Sequence, residues 1–399
     1  MRQAVINLEE SMIRQVANAG MGRSDVLKFW FGESDEVTPQ FIRDAAISAI
    51  QQGETFYAEN LGLPELRESI AAYASELRVQ GASKIGAERI AVTSGGVNAL
   101  MLAVQALVNS GDDVVVVIPV WPNLTGQPAI MGGIVRSVSL KPVVGQWQLE
   151  IDELLAAVTA KTKLLILNAP NNPTGWTLSR AEQETILAHC RKTGTWILAD
   201  EVYERLYFEP TPNGCAPSFL DIAAPDDRLV VVNSFSKSFL MTGWRLGWLA
   251  MPPAMTAQMG KLIEFNTSSA PAFVQRAGLV AIQRTLDVTP RVVAHLQTCR
   301  DTLIPLLQAV PGVQVAPAKG GMYAFFRLED SARFGDSLAV AKSLVLEAGL
   351  GLAPGSAFMA GYLTKPSADS RGWLRWCFAS QDLNRLGQGV ARLERWLGL

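Results

Sequence analysis

Lys237 lies in the run Ser234-Phe235-Ser236-Lys237-Ser238, and Gly243-Trp244-Arg245-Leu246-Gly247 follows within the same stretch of chain. Hydroxyls, one amine and one guanidinium within twelve residues make a cup for a phosphate beside an amine able to react. Four other segments carry groups that complement it. Asp200 closes the apolar run Trp196-Ile197-Leu198-Ala199 and is followed by Glu201-Val202-Tyr203; an acid in that position loses water and needs a cationic partner. Asn168-Ala169-Pro170-Asn171-Asn172-Pro173-Thr174-Gly175 crowds asparagine and proline into a special turn that exposes amide side chains. Thr93-Ser94-Gly95-Gly96-Val97 sets a glycine pair before a helical stretch, where backbone amides can approach an anion. Pro119-Val120-Trp121-Pro122-Asn123 offers a flat ring suited to stacking on an aromatic ligand. Taken singly, the glycine pair also fits an ordinary turn and Trp121 a core ring. Five segments with complementary chemistry argue for one site.

Each segment follows, or in the case of Arg245 precedes, a β-branched apolar run. The strands expected are Arg89 to Thr93, Asp113 to Ile118, Ile134 to Leu140, Lys163 to Leu167, Thr195 to Asp200, Arg228 to Asn233 and Leu246 to Met251. Several are continuous Val/Ile/Leu runs, the mark of strands covered by helices on both faces. The fold class is therefore α/β, a seven-stranded mainly parallel sheet sandwiched by helices, and in such sheets ligands bind outside the carboxyl ends of the strands. Helices are expected over Thr38 to Gln52 and Pro64 to Arg78, each with proline in its first turn. Past Leu286 come a long helix from Arg291 to Val310, strands near Gln314 and over Gly321 to Leu328, and a closing helix over Leu383 to Leu397. This reads as a smaller α+β domain built from both chain ends. The expected division is an arm and part of the small domain over 1–45, the large domain over 46–285 and the small C-terminal domain over 286–399.

Composition removes several other classes of function. In 399 residues, 35 lysines and arginines against 37 acids leave a formal charge of -2, without the basic excess that nucleic-acid binding needs. With 49% hydrophobic and 18% charged residues the chain has material for a large core. Cys190, Cys215, Cys299 and Cys377 form no CxxC pair, and His189 and His295 lie singly in helix-like stretches. No metal site or disulfide framework is expected, and a reducing, cytoplasmic location fits. The start MRQAVINLEE has two glutamates and no apolar core of a signal peptide, and no run of 18 apolar residues follows, so no membrane partner is expected.

Read together, these segments resemble the class I/II aminotransferases, fold-type I enzymes that depend on pyridoxal 5'-phosphate (PLP). The likeness runs from Phe31-Gly32-Glu33-Ser34-Asp35, through Tyr57-Ala58-Glu59-Asn60-Leu61-Gly62-Leu63 and the Asn171 to Gly175 turn, to Leu374-Arg375-Trp376-Cys377-Phe378-Ala379. The resemblance implies that Lys237 bonds PLP as an imine and then carries the proton, that Asp200 pairs with the pyridine nitrogen, and that Tyr203 and Asn172 donate to the phenolic O3'. Trp121 would stack on the ring. Ser234, Ser236, Arg245 and the backbone at Gly95, Gly96 and Val97 would hold the phosphate. Arg375 would clamp the substrate α-carboxylate, assisted by Asn172 and the Gly32 backbone.

What the resemblance implies for activity is a ping-pong exchange through covalent imine stages, from an L-amino acid to a 2-oxo acid. The alternative is a carbon-sulfur β-lyase or related eliminating enzyme on the same fold, since fold does not choose between them. A transcription regulator of this fold would carry a basic DNA-binding module, and no such segment is present. The likeness also implies a homodimer in which Tyr57 reaches the partner's phosphate site. The apolar arm residues Val5, Ile6, Leu8, Met12 and Ile13 have no evident place in either domain and point to a second subunit. Two features stay open: no second cation is identified for a distal carboxylate, the residue after the glycine pair being Val97, and Glu264 to Phe273 with Gly320 to Tyr323 are expected to line the side-chain pocket.

Overall fold

The computed structural model describes residues 1–143, 145–329, 336–359 and 371–399. Seven strands form the large sheet: β1 Ile90–Thr93, β2 Asp113–Ile118, β3 Ile134–Ser139, β4 Thr162–Asn168, β5 Trp196–Asp200, β6 Leu229–Ser234 and β7 Gly247–Ala250. Their order is β1-β7-β6-β5-β4-β2-β3. Strands β2 to β6 pair in parallel, and β7 runs antiparallel to both β1 and β6. The β-branched runs place all seven correctly because these strands are covered on both faces: β1, β6 and β7 are buried along their whole lengths, while only the edge strand β3 is largely open to solvent.

The main helices are α1 Met12–Ala19, α2 Gln40–Gln51, α3 Pro64–Glu76, α4 Gly96–Leu107, α5 Arg180–Thr193, α6 Ala272–Gln283, α7 Thr285–Ala309 and α8 Asn384–Leu397. Helix α5 shows how local sequence fixes its ends. Ser179 and Glu182 close a capping box, Arg191 and Lys192 sit in the last turn, and Gly194 ends the helix in the left-handed region. Helix α7 begins six residues earlier than its sequence pattern indicates, running through Pro290. Val288 and Thr289 are fully buried there, so packing holds a first turn that proline would otherwise discourage.

A second, antiparallel sheet contains β8 Val313–Val315, β9 Tyr323–Leu328, β10 Ala353–Pro354 and β11 Trp373–Cys377 in the order β8-β9-β11-β10. Tyr323 pairs with Cys377 and Phe325 with Arg375, which puts these four side chains on one face. The N-terminal segment joins this body. Leu27–Lys28 pairs in parallel with Leu350–Gly351, and α1 packs on β10 and on the helix Ser337–Ser343. Ile13 is accordingly buried, and the Met12 sulfur accepts a hydrogen bond from Ser356 Oγ at 3.4 Å. Both arm residues therefore have a place in their own chain, contrary to the sequence reading. Val5, Ile6 and Leu8 remain exposed.

Beneath the carboxyl ends of β5 and β6 lies a buried polar network. Arg78 Nη2 donates to Glu204 Oε2 at 2.9 Å, Asn233 Nδ2 donates to Glu204 Oε1 at 2.7 Å, and the Ser234 amide donates to Asn233 Oδ1 at 2.8 Å. The two histidines bond to backbone carbonyls, His189 to Val158 and His295 to Ser380, and the four cysteines are free and buried. Among the described residues no helix is long and apolar enough to cross a membrane.

Candidate active site

The carboxyl ends of the parallel strands open into a cavity of about 600 Å³. Each strand end delivers what its segment contains. The loop after β2 brings Trp121, the turn after β4 brings Asn172, β5 ends in Asp200 with Tyr203 beyond it, and β6 leads to Ser234, Ser236 and Lys237. Gly96 and Val97 face the cavity from the first turn of α4, and Arg245 faces it from the approach to β7. From the opposite side come Gly32 and, on the small sheet, Tyr323 and Arg375.

Asp200 is 3% exposed, and its carboxylate accepts one hydrogen bond, from the Val202 amide at 3.3 Å. It makes no ion pair among the described residues. Burial pushes its pKa up to about 7, against the opposing pull of the Val202 amide and the Lys237 charge. Burial acts with the opposite sign on the Lys237 amine, bringing it down to about 8. The amine donates to the Gly32 carbonyl and lies 5.6 Å from the centre of the Tyr203 ring.

The anion cup has two walls. Ser234 Oγ donates to Ser236 Oγ at 3.0 Å and accepts the Ser236 amide at 3.1 Å. Arg245, held in the left-handed region at φ 54°, donates to the Thr242 carbonyl at 2.7 Å. Gly95, at φ 92°, lies under that guanidinium, where a Cβ would come within 2.4 Å of Nη2. Gly95 thus admits the arginine and does not itself line the cavity.

Arg375 is 2% exposed. Its Nη1 donates to Asn172 Oδ1 at 3.0 Å, its Nη2 donates to the Trp30 carbonyl, and its buried Nε has no partner. The Cζ atom lies 4.5 Å from the centre of the Tyr323 ring and 4.8 Å from that of Phe358, so aromatic rings hold the guanidinium. Tyr203 Oη is 2.7 Å from Tyr323 Oη.

Tyr57 is the one sequence candidate that stands apart, with 91% of its surface exposed and Phe56 beside it at 84%. Two pocket expectations need correction. Among the residues 264–273 none lines this cavity: Phe265 is 91% exposed and Asn266 accepts a hydrogen bond from Asn98 at 2.9 Å. Of the segment Gly320 to Tyr323 only Tyr323 reaches it. A further cation that the sequence reading did not identify, Arg14, reaches the cavity. Its helix α1 is capped by Ser11, both residues line the cavity, and the guanidinium lies 4.9 Å from the centre of the Phe31 ring. Arg14 makes no ion pair among the described residues. More than two hundred residues separate it from the Lys237 segment, and nothing in a short amphipathic helix distinguishes a cavity arginine from a surface one.

Comparison with known proteins gives a consistent picture. The sequence profile of the family described as aminotransferase class I and II matches residues 24–393. A probable aspartate/prephenate aminotransferase of Aquifex aeolicus is 32% identical over 94% of this chain and 91% of its own length. A Thermus thermophilus aspartate aminotransferase mutant superimposes with a TM-score of 0.87 at 28% identity, covering 99% of each chain. An aromatic aminotransferase of Pyrococcus horikoshii does so with 0.83 at 28% identity, covering 96% of this chain and 98% of its own.

The buried acid has a measurable signature in the ligand-free protein. A pKa raised in the folded state means that folding favours the protonated acid, so stability falls as pH rises from the ordinary carboxylate range through about 7. Asp200→Asn removes that loss. Its stability advantage over the unsubstituted chain, read from urea unfolding, should widen from about pH 5 to about pH 8, by on the order of 1–3 kcal/mol. An advantage that does not change with pH would contradict the assignment.

Proposed function

The chain belongs to the class I and II aminotransferases, and from that premise we propose that its cavity binds pyridoxal 5'-phosphate and transfers the amino group of an L-amino acid to a 2-oxo acid in a ping-pong exchange. The observation that carries this reading is the placing of an unpaired buried carboxylate and a partly neutralised lysine in one chamber. Asp200 makes no ion pair among the described residues, and with PLP bound it would pair with the protonated pyridine nitrogen. The cup of Ser234, Ser236, Arg245 and the Gly96 and Val97 amides fits a phosphate, with Gly95 making room for the arginine. The residues present therefore fit the group.

When bound, PLP provides the electron sink that stabilises a carbanion at the substrate Cα. The protein supplies the rest. Arg375 and Asn172, with the Gly32 backbone, orient the α-carboxylate. Trp121 would pack on the cofactor face and Tyr203 would donate to its phenolic oxygen. Lys237 Nζ is neutral in part of the population near pH 8, so it can take the Cα proton and return it. The tryptophan, tyrosine and surrounding apolar surface keep water from that proton.

Arg14 narrows the donor class. A guanidinium that reaches the cavity without an ion pair among the described residues suits a substrate whose side chain ends in a second carboxylate. The names of the aspartate aminotransferase relatives agree with this reading. We place the cofactor in the domain over 46–285, with the arm and residues 286–399 closing over it. The free, buried cysteines suit a cytoplasmic location.

The exposed pair Phe56 and Tyr57, and separately Val5 and Ile6 of the arm, fit surface covered by a second copy of the chain. In that homodimer Tyr57 completes the partner's phosphate cup.

Three measurements test these readings. Borohydride reduction of the holoenzyme should fix the cofactor on Lys237, located by mass spectrometry. Lys237→Ala should show no such adduct and no transfer; pyruvate and ammonia formed without an oxo-acid acceptor would mark elimination instead. Arg14→Ala should lower kcat/KM for aspartate and glutamate about 10- to 100-fold, the size of a lost charged hydrogen bond, and leave uncharged donors unchanged. Equal losses for both classes would remove Arg14 from the side-chain subsite. Finally, mixing Tyr57→Ala with Lys237→Ala subunits should restore activity, because the mixed dimer holds one site with both residues intact. No recovery after verified subunit exchange would place Tyr57 outside the partner's site.

A further inference from the structure

We infer that Tyr323 is a positioning residue for this reaction: its hydroxyl directs the Tyr203 proton into the cavity, and its ring face fixes the plane of the Arg375 guanidinium. The inference rests on the roles proposed above for Tyr203 and Arg375.

Tyr323 stands at the first position of β9 and is 1% exposed. Each phenol has one hydrogen to donate and lone pairs to accept. Among the described residues, the hydrogen bond of Tyr323 Oη is the one to Tyr203, at 2.7 Å. Two arrangements of this pair exist. If Tyr203 donates to Tyr323, its only proton is used and it has nothing to offer a ligand oxygen. If Tyr323 donates to Tyr203, the Tyr203 proton is free to point at an acceptor in the cavity, and the two bonds strengthen each other. An acceptor oxygen in front of Tyr203 selects the second arrangement, because only then are both hydroxyl protons bonded. Burial holds both phenols well above the usual tyrosine range, so the chain of donors does not titrate at working pH.

The ring of the same residue serves Arg375. Its face lies 4.5 Å from the guanidinium carbon, while Asn172 Oδ1 and the Trp30 carbonyl take hydrogen bonds from Nη1 and Nη2. The carbonyls set the direction of the fork, and the ring restricts its tilt. Tyr323 also accounts for the residue at position 32. A Cβ on Gly32 would lie 2.0 Å from the Tyr323 hydroxyl oxygen, so the backbone that receives the Lys237 amine can pass there only without a side chain.

The two tasks separate by substitution, since Tyr323→Phe keeps the ring and removes the hydroxyl, whereas Tyr323→Leu removes both. The experiment uses holoenzyme loaded with PLP and reads two quantities for Tyr203→Phe, Tyr323→Phe and Tyr323→Leu. One is the midpoint of the pH titration of the cofactor's visible band. The other is the Kd of an α-methyl amino acid, which lacks the Cα proton and does not turn over. A donor bond to the phenolic oxygen favours its less protonated form, so loss of the donor raises the midpoint. Tyr203→Phe should raise it by about 1 to 2 pH units, and Tyr323→Phe should raise it in the same direction by about half as much. Analogue binding should stay within about twofold in Tyr323→Phe and weaken about tenfold in Tyr323→Leu.

If Tyr203→Phe moves the midpoint and Tyr323→Phe does not, the relay is wrong while the role of Tyr203 stands. If neither moves it, both are wrong. Unchanged analogue binding in a folded Tyr323→Leu protein would overturn the part played by the ring. Should that variant not fold, a Tyr323→Phe protein that binds the analogue tenfold more weakly would overturn it equally.

Discussion

A carboxylate at the end of a buried strand is stable as an anion only with positive charge in front of it, and the site is organised around that demand. Asp200 ends β5, the central strand of the seven, with β4 on one side and β6 on the other. Lys237 is near enough to influence it but donates to the Gly32 carbonyl. The acid and the amine are therefore both displaced toward neutrality by the same cause, burial, to about 7 and about 8. A charged ligand arriving beside either group shifts that balance, because a nearby opposite charge favours the ionised form.

The support for that arrangement lies one layer down. Glu204 follows Tyr203 by one residue, and Asn233 precedes Ser234 by one, so their mutual hydrogen bond ties the segment carrying the acid and phenol to the segment carrying the anion cup. Arg78, two residues past the end of α3, anchors the pair. Because all three are buried, breaking any bond leaves a charge or amide without water, and this makes the spacing of the two segments stiff. The ligand-facing groups inherit their separation from residues that never touch the ligand.

The sheet and most of the candidate site were legible in the sequence, for a local reason. Val/Ile/Leu runs mark strands buried on both faces, and residues at their carboxyl ends converge whatever the rest of the chain does. Asp200, Asn172, Ser234 and Lys237 are each one short turn from such a run. What could not be read depends on long-range placement. Arg14 reaches the cavity because its helix packs against the C-terminal sheet, and the pairing of Tyr203 with Tyr323 spans 120 residues. Residues 264–273 illustrate the converse: a segment of mixed polarity near the motifs in sequence, running into the first turn of α6, lies outside the cavity in its own chain. The early start of α7 is a third case, where burial of Val288 and Thr289 outweighs the local preference of proline.

The parallel pairing of Leu27–Lys28 with Leu350–Gly351 has a mechanical consequence. It fastens α1 to the body that carries β11, so Arg14 and Arg375 are both carried there, while Asp200 and Lys237 stand at the carboxyl ends of the large sheet. The spacing of the two arginines is thus set within that body, by the packing of α1 and the pairing of β11, and not by the sheet that leads to the lysine.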